Sequence, residues 1–204
     1  IAENTLVFFT SDNGPWLILG DRGGSAGLLR DGKGGTWEGG MREPGIAWWP
    51  GRIKAGTVNH DIASTLDLFT TSLKLAGAEI PQDRVIDGVD LTPALLEGRP
   101  TARKTFFYYH NHELYAVRKG PFKAHLITHY GYDKKNPPAK HDPPQLFNLE
   151  VDPGESFEIA KDHPEIVADL LAEIARHQAT VTPVESQLDK RIAPAPPAPA
   201  PKSS

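Results

Sequence analysis

Leu6-Val7-Phe8-Phe9 is a continuous apolar run within residues 4 to 10, the pattern of a strand covered on both faces. Ile46-Ala47-Trp48-Trp49 reads as a second strand, stopped by Pro50-Gly51. Between them lie about thirty residues rich in Gly and without period, and loops of that length inside a compact domain usually carry function. From Asp61 to Ala76 the apolar positions Ile62, Leu66, Phe69, Leu73 and Ala76 recur at steps of three and four. That spacing predicts an amphipathic helix, ended by Gly77, with its apolar stripe laid on a sheet face.

Residues 78 to 104 read as a connector, with turn chemistry at Asp87-Gly88 and Glu97-Gly98-Arg99-Pro100 and a short apolar turn from Leu91 to Leu96. Four short strands follow: Phe106 to Tyr109, Leu114 to Arg118, Phe122 to Ile127 and Gln145 to Leu149. Lys119-Gly120-Pro121 supplies a hairpin turn, and a small antiparallel sheet is expected. After the turn Asp152-Pro153-Gly154-Glu155, a helix is predicted to start near Asp162 or His163 with Pro164 in its first turn. Its apolar stripe is Ile166, Val167, Leu170, Leu171 and Ile174, placed to pack across the four strands. The Ala/Pro tract from Ala193 holds no packable side chains and is expected to be disordered. The division this implies is 1–100, 101–182 and a tail 183–204.

At 204 residues, 39% hydrophobic and 24% charged, the chain has the composition of a soluble globular protein. A net charge of −4 without a face-sized cluster of Lys and Arg argues against a nucleic-acid partner. No apolar run approaches the roughly 18 residues needed to span a bilayer, and no signal-peptide pattern opens the chain. The start, Ile1-Ala2-Glu3-Asn4, has no initiator Met and lies just ahead of a strand, as expected of a cut inside a longer protein. With no Cys, disulfides, thiolate metal sites and a Cys nucleophile are excluded within the segment.

The chemistry starts at the end of the first strand, in Thr10-Ser11-Asp12-Asn13-Gly14. In open parallel sheets ligands collect beyond the carboxyl ends of strands, and Asp12 with Asn13 offers the hard oxygens that Ca²⁺ or Mg²⁺ prefers. The same three residues also make an ordinary turn, Asp and Asn satisfying local backbone groups and Gly accepting positive φ. Twenty residues beyond Asn13 stands Lys33, within Gly32-Lys33-Gly34-Gly35-Thr36-Trp37-Glu38-Gly39-Gly40-Met41-Arg42-Glu43-Pro44. Without these flanking words Lys33 would read as a solvated loop lysine. Gly27 to Lys33 comes close to a phosphate-binding P-loop but fails at Gly34, where Ser or Thr is needed for Mg²⁺. Five of the eight histidines fall between His110 and His141, and His125 and His129 share a face if their strand continues. No helical His-Glu-x-x-His arrangement supports zinc, so scattered surface histidines are the simpler reading.

The order and spacing of Ser11-Asp12-Asn13-Gly14, Gly32-Lys33-Gly34-x-Thr36 and Glu38-Gly39-Gly40-x-Arg42-Glu43-Pro44 resemble the type I sulfatases. Met41 to Trp49, Ile53 and Asp67 to Leu73 are closest in wording to the N-acetylgalactosamine-6-sulfatase and arylsulfatase A branches. The resemblance runs from about Asn4 to Gln178 and covers only the C-terminal part of such an enzyme, of alkaline-phosphatase-like α/β fold. It implies that Asp12 and Asn13 ligate Ca²⁺ and that Lys33 contacts the substrate sulfate, its ammonium also stabilising the leaving oxygen. His125, in Lys123-Ala124-His125, is implied at the border of the substrate pocket. Glu38 and Arg42 are expected to pair with each other or with loop backbone and hold Lys33 in place.

The family's nucleophile is a formylglycine made within Cys/Ser-x-Pro/Ala-x-Arg, and no such motif occurs in this chain. The segment alone is therefore expected to be inactive, with an unpaired sheet edge and an uncovered face that invite aggregation, and to need the N-terminal half of its own chain. The implied reaction is hydrolysis of a sulfated sugar or aryl sulfate. Rival readings are a metal-dependent phosphatase or phosphodiesterase of the same superfold and an inert sulfatase-like binding module. The family points to a periplasmic or secreted location, and the absence of Asn-x-Ser/Thr acceptors leans toward a bacterial enzyme.

Overall fold

The computed structural model describes residues 1–132 and 135–184. The expected disorder of the Ala/Pro tail lies outside the described residues.

The first hundred residues hold two short strands and three helices. Strand β1 (Val7–Thr10) pairs antiparallel with β2 (Gly45–Trp48) in the register Val7 opposite Trp48 and Phe9 opposite Ile46. Among the described residues β1 has β2 as its strand partner, and no parallel pair occurs among them. Residues two apart on a strand share a face, so Val7, Phe9, Ile46 and Trp48 lie together, and all four are exposed, Phe9 at 64%. Within this chain the strand is thus not covered on both faces, and the face stays bare, as expected for the segment alone.

Between β1 and β2 run a 3₁₀ stretch (Leu17–Gly23) and a single-turn helix α1 (Glu38–Met41). Helix α2 (Leu66–Leu75) forms where the three-and-four spacing predicts, but it starts five residues late. Its apolar stripe points outward: Leu66 and Phe69 are about half exposed, while Asp67, Thr70 and Thr71 are buried. Asp67 explains the inversion. Its carboxylate accepts from the Ser64 and Val89 amides (2.8 and 2.9 Å) and takes the Arg103 guanidinium, tying the start of the helix to the connector. Charged groups enter an interior only when paired in this way. A short helix α3 (Thr92–Glu97) follows, closed by Gly98 in the left-handed conformation.

The second part is a four-stranded antiparallel meander, β3 (Thr105–His110), β4 (Glu113–Lys119), β5 (Phe122–Thr128) and β6 (Ala139–Asn148), in sequential order. Helix α4 (Pro164–Gln178) lies across it. Val117, Ala124, Leu146, Val167, Leu170 and Ile174 form the shared core, with Leu171 displaced from the predicted stripe to the surface. Alternation sends the opposite set of β5 side chains to the other face, where Lys123 and His125 sit without exposure. That second face receives the loop between β1 and β2, and it is what positions the candidate site.

Candidate active site

Trp37 anchors the loop. It is 2% exposed and packs with Phe147, Leu149 and Tyr130, its ring tilted on His125 at 4.5 Å. Arg30 lies over its outer face, 3.8 Å from the ring centroid, and donates to the Glu155 carbonyl at 2.7 Å. Asp31, at φ 64°, accepts from the Gly131 amide at 2.8 Å, and burial raises its carboxyl above the usual range. These contacts hold the segment Arg30 to Glu38 against β5 and the connection that follows it.

Beneath the loop lies a group of buried charges. Lys123 Nζ donates to Glu38 Oε1 (3.1 Å) and the Thr36 carbonyl (2.9 Å), and it lies 3.1 Å from Glu155 Oε1. Glu38 also accepts from the Tyr108 hydroxyl (2.6 Å) and from Arg118 (3.2 Å), while Glu155 accepts from the Glu38 amide (2.7 Å). Glu155 Oε1 further lies 2.7 Å from His125 Nε2. Burial pushes the Glu155 carboxyl up, but the Lys123 ammonium and the His125 hydrogen bond outweigh it and hold the group at about 2. Burial, reinforced by Lys123, lowers His125 to about 4. His125 is therefore neutral near pH 7: Nε2–H donates to Glu155, and Nδ1 is left as a buried acceptor without a partner.

Two expectations change here. His125 is fully buried between Trp37 and Phe147, so it supports the loop from behind and does not border a pocket. Glu38 is indeed a buried anchor, but its side-chain partners are Lys123, Tyr108 and Arg118; Arg42 lies on the surface. Lys123 and Glu155 went unread in the sequence, although Lys123 carries a signal. It stands two residues before His125 on a strand whose neighbours are apolar, so both must face one side.

At the opposite end of the loop, Lys33 reaches back to the end of β1. Its amide donates to the Pro15 carbonyl (2.9 Å) and its Nζ donates to Asn13 Oδ1 (2.8 Å). Gly14 makes this approach possible. Its amide donates to the Gly40 carbonyl at 3.1 Å, and a Cβ added there would stand 1.9 Å from the Gly39 carbonyl oxygen. Asp12 is exposed at the rim of this junction. Glu43 sits close by: burial, then the Asp12 charge, raises its carboxyl, and its Oε1 is buried without a hydrogen-bond partner.

As a place for a hard cation, this donor set fits in part. Asp12 supplies an exposed carboxylate and Asn13 a carboxamide oxygen, and two crowded carboxylates favour a positive charge beside them. Ca²⁺ takes six to eight oxygens, and among the described residues no group of three or more His, Asp or Glu converges to hold a metal. A Ca²⁺ held here would need further ligands besides Asp12 and Asn13.

The sulfatase profile matches residues 1–78, and the profile described as the C-terminal region of aryl-sulfatase matches residues 101–203. The chain belongs to the sulfatase family. It is similar to the N-acetylgalactosamine-6-sulfatase of Canis lupus familiaris (44% identical, covering 93% of this chain and 40% of that protein). It is also similar to the arylsulfatase A of Bos taurus (43% identical, covering 84% and 36%). Among solved structures, the PsFucS1 sulfatase from Pseudoalteromonas sp. superposes with a TM-score of 0.78 at 34% identity, over 88% of this chain and 38% of that one. The fold is thus the alkaline-phosphatase-like sulfatase fold, and the chain spans about two fifths of the length of the relatives it matches. A phosphonate monoester hydrolase of Agrobacterium radiobacter, 22% identical with a TM-score of 0.58, shares the fold alone.

Proposed function

We propose that the protein to which this sulfatase segment belongs hydrolyses sulfate esters, and that the segment contributes Lys33 to the sulfate and Asp12 and Asn13 to a Ca²⁺ shell. The observation that carries the reading is the 2.8 Å contact from Lys33 Nζ to Asn13 Oδ1, which joins one of the two proposed cation ligands to the only lysine in the loop. A sulfuryl group entering there would meet the Lys33 ammonium, beside any cation that Asp12 and Asn13 held, and preorganised positive charge is what its oxygens require as the ester bond breaks. Bound Ca²⁺ would neutralise charge on those oxygens. Lys33 holds the group in place and stabilises the departing oxygen. Glu38, Lys123 and Glu155 fix the loop from which Lys33 extends.

The nucleophile in this reading is a formylglycine outside the segment, so the segment alone is inactive. Resemblance to N-acetylgalactosamine-6-sulfatase supports a sulfated sugar as substrate, with aryl sulfates as small surrogates. The test is to assay the intact protein on 4-nitrophenyl sulfate and 4-nitrophenyl phosphate, with and without a Ca²⁺ chelator. Chelator-sensitive sulfate hydrolysis is expected. Preference for phosphate would turn the assignment toward a phosphatase of the same superfold, and inactivity toward both esters would turn it toward an inert module.

A further inference from the structure

We propose that Trp16 and Tyr132 form an aromatic platform that stacks the sugar ring of a monosaccharide sulfate whose sulfate lies at Lys33, an inference that rests on the sulfatase reading above. The two residues come from distant parts of the chain and meet with ring centroids 5.9 Å apart and planes tilted by 46°. Among the described residues both are exposed, Trp16 at 40% and Tyr132 at 54%, whereas Trp37 and Phe147 beside the loop are buried and Tyr130 is half-buried. Their placement follows from Lys33. The Lys33 amide donates to the Pro15 carbonyl, which puts Trp16 next in line, and the Tyr132 ring lies against Gly34, where an added Cβ would come within 3.2 Å of it. Lys33 thus has its backbone beside the platform, through Pro15 and Gly34, and its Nζ at Asn13.

Exposed Trp and Tyr rings offer an apolar face with a polar edge, which suits an amphipathic ligand. A pyranose has the matching shape: one face is a set of C–H groups that sit on the negative face of an aromatic ring, and the hydroxyls and sulfate project from its edge. A sugar held on Trp16 and Tyr132 would direct an edge sulfate along Lys33 toward its ammonium. The contribution is to ring binding and not to bond cleavage, so it belongs in KM.

The experiment uses the intact protein with Trp16→Ala, Trp16→Phe, Tyr132→Ala and Tyr132→Phe. KM and kcat are measured on the monosaccharide sulfate that the wild type hydrolyses fastest, together with the Ki of inorganic sulfate. Each Ala variant is expected to raise KM about tenfold with kcat and the sulfate Ki within about twofold, and each Phe variant to restore KM. Unchanged KM in both Ala variants overturns the platform, and so does a parallel rise in the sulfate Ki, which reports damage to the loop itself. Hydrolysis of 4-nitrophenyl sulfate by a wild type that leaves every sugar sulfate intact overturns the platform but keeps the sulfatase reading. Failure on all sulfate esters removes that reading as well.

Discussion

Lys123 and Glu38, 85 residues apart in the chain, meet as a wholly buried ion pair with Nζ 3.1 Å from Oε1. The pair joins the loop between β1 and β2 to the antiparallel sheet, and Glu155 makes Lys123 common to two carboxylates. Buried pairs of this kind contribute little net energy when intact, because desolvation offsets the attraction, but removing one partner leaves bare charge inside the protein. Lys123→Met keeps the length of the side chain but removes the one ammonium between the two carboxylates, leaving Glu38 with Arg118 and Tyr108 and Glu155 with the neutral His125 and the Glu38 amide. The expected loss is about 3–5 kcal/mol in urea denaturation of the intact protein. A loss below about 1 kcal/mol, the range of exposed pairs, would show that the loop does not depend on it.

Acid should loosen the same junction in two steps. His125 titrates at about 4 in the fold against an ordinary 6.5, so the unfolded chain binds the extra proton first and stability falls as pH drops from about 6.5 to 4. Glu155, at about 2 against 4.5, contributes stability that is present above pH 4.5 and lost as pH falls toward 2. Melting temperature against pH should therefore decline from about pH 6.5 downward. His125→Gln, whose carboxamide can still donate to Glu155, should flatten the segment between pH 6.5 and 4 and leave the lower step. An unaltered profile in that variant would remove His125 from the account.

Gly14 is the tightest point of the candidate site. An alanine there would drive its methyl into the Gly39 carbonyl at 1.9 Å, and neither backbone can yield without moving Asn13 away from Lys33. Overpacking of this kind costs about 1–3 kcal/mol. In the intact protein Gly14→Ala should weaken Ca²⁺ binding, followed by calorimetric titration, and turnover of 4-nitrophenyl sulfate together. Loss of one without the other would mean that the two groups are not mechanically joined.

How far the chain could be read from its sequence follows from where each side chain finds its partner. The four strands β3 to β6 and helix α4 were legible because their apolar residues pack on one another, so local period and final burial agree. Leu66 and Phe69 on α2 and Phe9 on β1 have the same kind of pattern, yet they are exposed: on α2 the buried side is set by Asp67 and its partners, and no apolar cluster among the described residues packs on the Phe9 face. The position of Lys33 relative to Asn13 was legible only through the wording of the two motifs, since no periodicity links residues on separate loops. Glu155 was hidden for a different reason. Asp152-Pro153-Gly154-Glu155 has ordinary turn chemistry, and nothing local announces that its last carboxylate enters the interior to meet Lys123 and His125.

The most direct measurement is the turnover of 4-nitrophenyl sulfate by intact Lys33→Ala protein, with its melting temperature compared with the wild type. The account predicts a fall in kcat of about 10²–10³-fold, the scale for removing one preorganised charge-stabilising donor, with the fold retained. Wild-type turnover in that variant would contradict it.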